Sequence, residues 1–130
     1  MIVSAASRLR LQGVHLDLVK VVERAALLID ADGGNLTFRV TEGVRTKERQ
    51  AQLMAAGASQ TMNSRHLSGH AVDLAAEVSG VVRWDWPLYH SIARVMKRAA
   101  TDVGVPITWG GDWQMRDGPH YELPRREYPA

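Results

Sequence analysis

The sequence predicts an α+β domain in which a small, mainly antiparallel sheet is flanked by helices. Helical patterns precede and separate several short strand patterns, and the connections are too short for a full set of crossover helices. The chain has 130 residues, of which 45% are hydrophobic, and this suits one domain with one core. We therefore expect a single domain over residues 1–130, with residues 1–13 as a lead-in and residues 124–130 as a tail.

The first predicted element is an amphipathic helix that starts near Val14 and ends near Asp30. A cluster of turn-forming residues follows at 32–35, and residues 36–41 alternate well enough to form a strand. A helix therefore leads directly into the sheet. The apolar positions that carry the helical spacing of three and four residues are Val14, Leu18, Val21, Ala25, Leu28 and Ile29.

The next two predicted elements are a helix and a buried strand, joined by a polar loop. Thr46 is a suitable N-cap for a helix over residues 47–56, and Gly57 is a suitable residue to end it. Residues 58–65 form the polar loop. Small and β-branched residues over 70–78 then predict a strand that is buried on at least one face.

The last third of the chain predicts a helix followed by two short strands. Pro87 suits the first turn of the helix, while Gly104 and Pro106 would end it. Short strands are expected at residues 107–109 and 120–123, and the second of these could lie alongside the strand at 70–78. The apolar positions expected to face the core from this helix are Leu88, Ile92, Val95, Ala99 and Val103.

Residue types that bind metals surround the apolar strand. Asp73 lies within that strand, where a carboxylate needs a bonded partner or a cation. Gly69 allows a sharp bend that can bring His66 beside Asp73. His120 is the third candidate ligand, and imidazole and carboxylate donors suit Zn²⁺. Three protein ligands leave a fourth position for water, which indicates a catalytic site with Asp117 near enough to accept a proton.

Composition excludes several other classes of protein. The chain has no cysteine, which rules out disulfides and thiolate metal sites. The net charge of +2 is too small to indicate nucleic-acid binding without a basic patch. No apolar segment is long enough for a signal peptide or a membrane span. We therefore expect a soluble chain made in the cytoplasm.

Two motifs in this sequence resemble those of the zinc D-Ala-D-Ala carboxypeptidase and dipeptidase superfamily. The first motif is Ser64-x-His66-x-x-Gly69-x-Ala71-x-Asp73. The second is Asp117-x-Pro119-His120, followed by an aromatic residue and a glutamate. The chain is most similar to the single-domain phage endolysins that act as L-alanyl-D-glutamate peptidases, and the resemblance implies a hedgehog/DD-peptidase-like fold.

The resemblance also implies roles for individual residues. His66, Asp73 and His120 would bind the zinc ion, and Asp117 would be the catalytic acid and base. Arg45, in the segment 43–46, would help to bind substrate and to stabilise the oxyanion. Reasoning from the residues alone leaves Arg45 open as a surface charge. Glu122, in the predicted last strand, is expected either to orient a ligand imidazole or to be a solvated strand residue.

The walls of the cleft are expected to come from residues 57–63 and 81–86. Aromatic residues beside a glycine-rich turn more often pack in the core or at a rim than bind substrate. We accordingly expect core or rim packing for Trp109, Trp113 and Tyr121.

The function that the resemblance implies is zinc-dependent hydrolysis of the L-Ala–D-Glu bond in the peptidoglycan stem peptide, for lysis of a host cell. A D,D- or L,D-carboxypeptidase of peptidoglycan and a zinc-stabilised, non-catalytic cell-wall-binding module are the alternatives. We expect a monomer that binds no nucleic acid. It would stay in the host cytoplasm until a holin releases it to the periplasm and cell wall.

Overall fold

A computed structural model of the chain describes residues 1–31, 34–59 and 61–129. Residues 32 and 33 of the predicted turn lie outside these ranges. Within them, 3₁₀ turns occupy Arg65–Ser68 and Gly110–Asp112. The helices are α1 (Ala5–Arg10), α2 (Leu16–Ala31), α3 (Lys47–Ala55) and α4 (Trp86–Val103), and the strands are β1 (Leu36–Glu42), β2 (Ala71–Val78), β3 (Val81–Arg83), β4 (Thr108–Trp109) and β5 (His120–Glu122).

All described strand pairs are antiparallel, which confirms the predicted α+β class. The sheet has the order β1-β2-β5-β4, and β3 forms a hairpin with β2. The expected pairing of the last strand with the metal-site strand is present, because Ala71, Val72 and Asp73 pair with Glu122, Tyr121 and His120.

The core lies between one face of the sheet and the helices α2 and α4. Successive side chains of a strand point to opposite faces. In β2, Val72, Leu74 and Ala76 belong to the core, and Tyr121 of β5 joins them. Asp73 and its cross-strand partner His120 therefore lie on the opposite face. Strand alternation alone separates the polar site from the core.

A β-bulge in β1 brings one more carboxylate to the polar face. Val40 pairs with Leu74, but Glu42 pairs with Asp73, so β1 has an extra residue at Thr41. In a regular ladder Glu42 would face the core. A bulge redirects the side chains that follow it, and it places Glu42 beside Asp73.

The N-terminal segment, expected as a lead-in, forms helix α1 and packs against the glycines next to the site. A Cβ atom at Gly43 would lie 1.9 Å from the carbonyl oxygen of Arg10, and one at Gly69 would lie 2.6 Å from that of Gly13. Gly69 also has a φ of +77°, which suits glycine. Close backbone contact therefore requires glycine at both positions.

Helix α4 is rotated relative to the sequence prediction. Of the five predicted core positions, Ile92 and Ala99 are buried, and the other three are only partly buried. The rotation lets Tyr89 reach the sheet, where its hydroxyl donates to the Arg83 carbonyl and accepts from the Ala76 N–H. The buried face consists of Tyr89, Ile92, Ala93, Met96, Ala99 and Ala100.

The remaining elements agree closely with the sequence prediction. Helix α3 starts after Thr46, whose hydroxyl accepts a hydrogen bond from the Arg49 N–H.

The hairpin strand β3 and the 3₁₀ turns were not predicted, since each is only three or four residues long. Within the described ranges, no helix combines the length and the apolar character needed to cross a membrane.

Candidate active site

Three predicted metal ligands meet on the polar face of the sheet. Asp73 and His120 are cross-strand neighbours in β2 and β5, and His66 approaches from the 3₁₀ turn before β2. The Asp73 carboxylate lies 3.2 Å from Nε2 of His66 and 3.3 Å from Nδ1 of His120. One ligand atom from each residue lies within 4.8 Å of the others, so the group could hold a metal ion.

The nitrogens that face away from Asp73 are both engaged. Nδ1 of His66 lies 2.8 Å from the Gly43 carbonyl oxygen, to which it donates. Nε2 of His120 lies 2.8 Å from a carboxylate oxygen of Glu122. Such contacts fix the tautomer and the ring orientation of metal-binding histidines. Nε2 of His66 and Nδ1 of His120 therefore remain to face a metal ion.

The local sequence explains how His66 is held. The Ser64 hydroxyl accepts a hydrogen bond from the His66 N–H and starts the 3₁₀ turn, and Gly69 ends the turn in a left-handed conformation. The His66 carbonyl accepts from the Arg45 N–H at 2.9 Å. The turn is thereby attached to the segment that follows β1.

Asp73 and His120 form a tightly coupled pair. Burial alone would raise the pKa of Asp73, but its hydrogen-bonded contacts with His120 and His66 hold it well below its usual range. Burial would likewise lower the pKa of His120, but its bonds to Asp73 and Glu122 raise it to about 9. In the metal-free protein near neutral pH, Asp73 is therefore ionised and His120 is protonated.

Asp117 lies in the wall of the same cleft, on the segment that leads into β5. Its N–H donates to the Gly110 carbonyl at 2.9 Å, and a Cβ atom at Gly110 would collide with the Asp117 backbone. Loss of hydration and the nearby charge of Asp73 raise the pKa of Asp117. A carboxyl group with a raised pKa is well suited to exchange protons.

Arg45 is fixed by side-chain partners beside the metal ligands. Nε and Nη2 donate to the two carboxylate oxygens of Glu42 at 2.8 and 2.7 Å, and Nη1 donates to Gln50 at 2.8 Å. Nη2 also lies 3.7 Å from Asp73. Each Nη atom carries two hydrogens and uses one of them in these hydrogen bonds. One N–H on Nη1 and one N–H on Nη2 therefore remain to bind another group. Glu42 and Gln50 were not recognised from the sequence, because only the bulge and the fold bring them to Arg45.

Gln50 also connects Arg45 to the loop that follows α3. Its side chain is fully buried, and its Nε2 atom donates to the hydroxyl of Ser59 and to the carbonyl of Thr61. Both amide hydrogens are thereby used. The Gln50 side chain therefore holds both the Arg45 guanidinium group and the loop residues Ser59 and Thr61 of the cleft wall.

The cleft has a volume of about 440 Å³. The predicted wall at 57–63 contributes several residues to it, among them Ser59 and Asn63, whereas Gln60 lies outside the described residues. The prediction for residues 81–86 was wrong, since none of them lines this cleft. The α4 rotation and the β2–β3 hairpin carry Trp84 and Trp86 to a separate groove on the other side of Asp117.

The aromatic residues divide between the core and the rim, as expected. Trp109 and Tyr121 are buried, and Trp113 is partly exposed at the cleft rim, where its ring centroid lies 5.0 Å from that of His120.

Sequence reasoning missed Arg65, which connects the site to the C-terminal segment. Its side chain is 2% exposed, and Nη2 donates to the carbonyls of Leu123 and Tyr128, at 2.7 Å each. Nε lies 4.0 Å from Glu122, which contacts His120. The tail is also held by the Tyr128 hydroxyl, which donates to Asp17 at 2.6 Å. The position of Arg65 inside the first motif was the available signal, but its partners are distant in sequence.

Replacing Arg65 with methionine is expected to lower the free energy of unfolding by about 2 kcal/mol, because two carbonyls lose a charged donor. Denaturant unfolding of the metal-free protein would measure this loss. The matched control is Arg126→Met at an exposed position of the C-terminal segment, which should change stability by less than about 0.5 kcal/mol. If Arg65→Met and Arg126→Met are equally stable, the free energy lost by burying the Arg65 cation equals the free energy gained from its hydrogen bonds.

Comparisons with known proteins identify the family of this chain. A family model described as phage L-alanyl-D-glutamate peptidase matches residues 1–129. The L-alanyl-D-glutamate peptidase of Escherichia phage T5 is 29% identical over 126 residues, covering 94% of this chain and 88% of that protein. That of Listeria phage A118 is 36% identical over 106 residues, covering 80% of this chain but 37% of that protein.

A solved structure is also similar. The crystal structure of Serratia marcescens L-Ala D-Glu endopeptidase ChiX has a TM-score of 0.86 and 46% sequence identity. The match covers 97% of this chain and 92% of that one.

Proposed function

Since the chain belongs to the phage L-alanyl-D-glutamate peptidase family, we propose that it is a zinc-dependent endopeptidase that hydrolyses the L-Ala–D-Glu bond of the peptidoglycan stem peptide. The observation that carries this proposal is the convergence of His66, Asp73 and His120 beside Asp117 in one cleft. Relatives named for this activity match nearly the whole chain, which supports treating residues 1–130 as one catalytic domain.

The proposed metal is zinc, held by His66, Asp73 and His120. Two imidazoles and one carboxylate are typical zinc donors, and three protein ligands are typical of catalytic zinc sites. The contacts of His66 with Gly43 and of His120 with Glu122 support the fit, because they leave one nitrogen of each ring facing Asp73. Zinc bound there would polarise the scissile carbonyl and lower the pKa of a water molecule.

Asp117 is proposed as the general base and then the general acid. It would accept the proton of the attacking water and transfer it to the amine that leaves from D-Glu. Its raised pKa supports this role, because a group that accepts and then donates a proton works best when its pKa approaches the working pH.

Arg45 is proposed to bind the oxyanion or a carboxylate of the substrate. Glu42 and Gln50 hold the guanidinium group in one orientation, so its free N–H groups need no reorganisation on binding. The cleft also contains Arg125, and the stem peptide carries carboxylates that these cations could bind.

The biological setting is proposed as host-cell lysis, because the family and two of the similar proteins are of phage origin. We propose that the protein acts as a monomer, with the peptidoglycan stem peptide as its partner. It would wait in the host cytoplasm and reach the periplasm and cell wall through a holin.

The experiment that tests the function is digestion of purified Gram-negative-type peptidoglycan by the zinc-loaded protein, with mass spectrometry of the released fragments. New N-terminal D-Glu ends are expected. Loss of terminal D-Ala would instead indicate a carboxypeptidase. No release despite bound zinc would indicate a cell-wall-binding module.

A further inference from the structure

A second groove lies next to the catalytic cleft and has no role in the mechanism above. Its volume is about 220 Å³, comparable with the volume of a single sugar ring. Three aromatic residues, Trp84, Trp86 and Tyr89, form one side, and the segment from Arg116 to Pro119 forms the other.

The aromatic side presents large, firmly supported ring faces. Trp84 is 65% exposed, and its ring is stacked on that of Tyr89 with an interplanar angle of 4°. Tyr89 cannot turn away, because its hydroxyl is hydrogen-bonded to Arg83 and Ala76 of the sheet. Trp84 and Trp86 are both exposed and line one groove, and clustered exposed aromatic rings of this kind are a candidate binding surface.

Trp86 is also supported by neighbouring residues. The guanidinium carbon of Arg116 lies 3.8 Å from the centre of its ring, in a cation–π arrangement. Gly118 packs closely against the edge of the same ring, and a Cβ atom there would lie 3.2 Å from it. The groove thus has an apolar floor and a cation at its margin.

The groove and the catalytic cleft share one wall. Asp117 lines both of them, and Gly118 and Pro119 connect it to His120. A substrate bound across Asp117 would therefore extend from the cleft directly into the groove.

The two spaces differ in the chemistry that they offer. The cleft is lined by arginines, carboxylates and hydroxyl groups, which suit a charged peptide. The groove combines aromatic rings with the polar side chains of Arg116 and Asp117, which suits a sugar ring with one apolar face and hydroxyl groups at its edge. In peptidoglycan the L-Ala residue is amide-linked to the lactyl group of N-acetylmuramic acid, and the lactyl group in turn is ether-linked to the sugar ring. Each of these two units spans roughly 3.5 Å, so the sugar starts roughly 7 Å from the scissile bond.

We propose that the groove formed by Trp84, Trp86 and the 116–119 segment binds the N-acetylmuramic acid ring next to the scissile bond. The sugar ring stacks on Trp84, and Arg116 donates to its acetamide or hydroxyl oxygens. This inference rests on the proposed function. It identifies the glycan-linked stem, rather than the free peptide, as the preferred substrate.

The test compares two synthetic substrates with the same stem peptide. One carries N-acetylmuramic acid on L-Ala, and the other carries an acetyl group instead. The zinc-loaded wild type is expected to have at least a tenfold higher kcat/KM for the sugar-bearing substrate. Trp84→Leu should reduce this ratio about tenfold, mainly through KM, because a leucine side chain has no flat aromatic face.

Two controls distinguish stacking from a general defect. Trp84→Phe keeps an aromatic face and should retain most of the preference. Leu27→Ala changes an exposed apolar residue on α2 and should leave the ratio at the wild-type value. Thermal unfolding of each variant would confirm folding.

The possible results separate this inference from the proposed function. Cleavage of neither substrate by the wild type would overturn the proposed function and this inference with it. Equal kcat/KM for both substrates in the wild type, or an unchanged ratio in Trp84→Leu, would overturn the inference and leave the proposed function standing.

Discussion

Asp117→Asn is expected to reduce hydrolysis of the stem peptide by about 10² to 10⁴-fold, the usual contribution of a general acid–base group. Asparagine has nearly the same shape but cannot accept and return a proton. Asp117 is not among the residues that could hold the metal, so zinc content should stay at the wild-type level. Fragment release followed by chromatography, together with metal analysis of the same samples, would measure both quantities.

The matched control is Asp112→Asn, which changes an exposed aspartate paired with Lys97 outside the cleft. It should retain wild-type activity. An Asp117→Asn protein that keeps more than a tenth of wild-type activity with zinc bound would remove Asp117 from the proposed mechanism. Loss of zinc from that variant would instead give Asp117 a role in metal binding.

Zinc removal is expected to destabilise the protein by an amount that grows with pH. The pKa of His120 is raised from 6.5 to about 9 in the metal-free protein. This interaction stabilises the fold fully below pH 6.5 and is lost as the pH rises through 9. The free energy of unfolding of the metal-free protein should therefore fall as the pH rises between these values.

Zinc binding follows the opposite trend, because the metal needs a neutral imidazole and must displace the proton of His120. Zinc at a thousand times its dissociation constant contributes about 4 kcal/mol, and its affinity should increase up to about pH 9. Denaturant unfolding with and without zinc, at several pH values, would measure the widening difference.

A histidine control identifies the titrating group. His90→Gln alters a histidine outside the metal group and should preserve both trends. Glu122→Gln removes one of the two partners that raise the pKa of His120, so its metal-free protein should lose less stability on going from pH 6.5 to 9. A metal-free stability that is constant over this range would contradict the proposed protonation of His120.

The sequence predicted the fold class and most long elements, because their signals are local. Helix periodicity located α2, the Thr46 cap located the start of α3, and glycine ended α4 at residue 104. Short elements gave no comparable signal. Helix α1 has six residues and β3 has three, and both depend on packing against the sheet rather than on their own patterns.

The candidate ligands His66, Asp73 and His120 and the candidate acid/base Asp117 could also be named from the sequence, because their spacing forms the two motifs. Glu122 was also named as a possible partner of a ligand imidazole, and it lies 2.8 Å from His120. Other neighbours of the site could not be named. Glu42 reaches Arg45 because β1 contains a bulge, and Arg65 reaches Leu123 and Tyr128 because the chain end folds back over the site. Both kinds of contact depend on strand register and long-range packing.

The sequence by itself therefore determined which residue types could carry the chemistry and in which elements they lie. The tertiary structure decided which nitrogen of each histidine faces Asp73, which partners orient Arg45, and where Trp84 and Trp86 are placed. The physical reason is that helix period, strand alternation and turn formation depend on nearby residues. The orientation of a side chain in a site depends on residues that only folding brings within hydrogen-bonding distance.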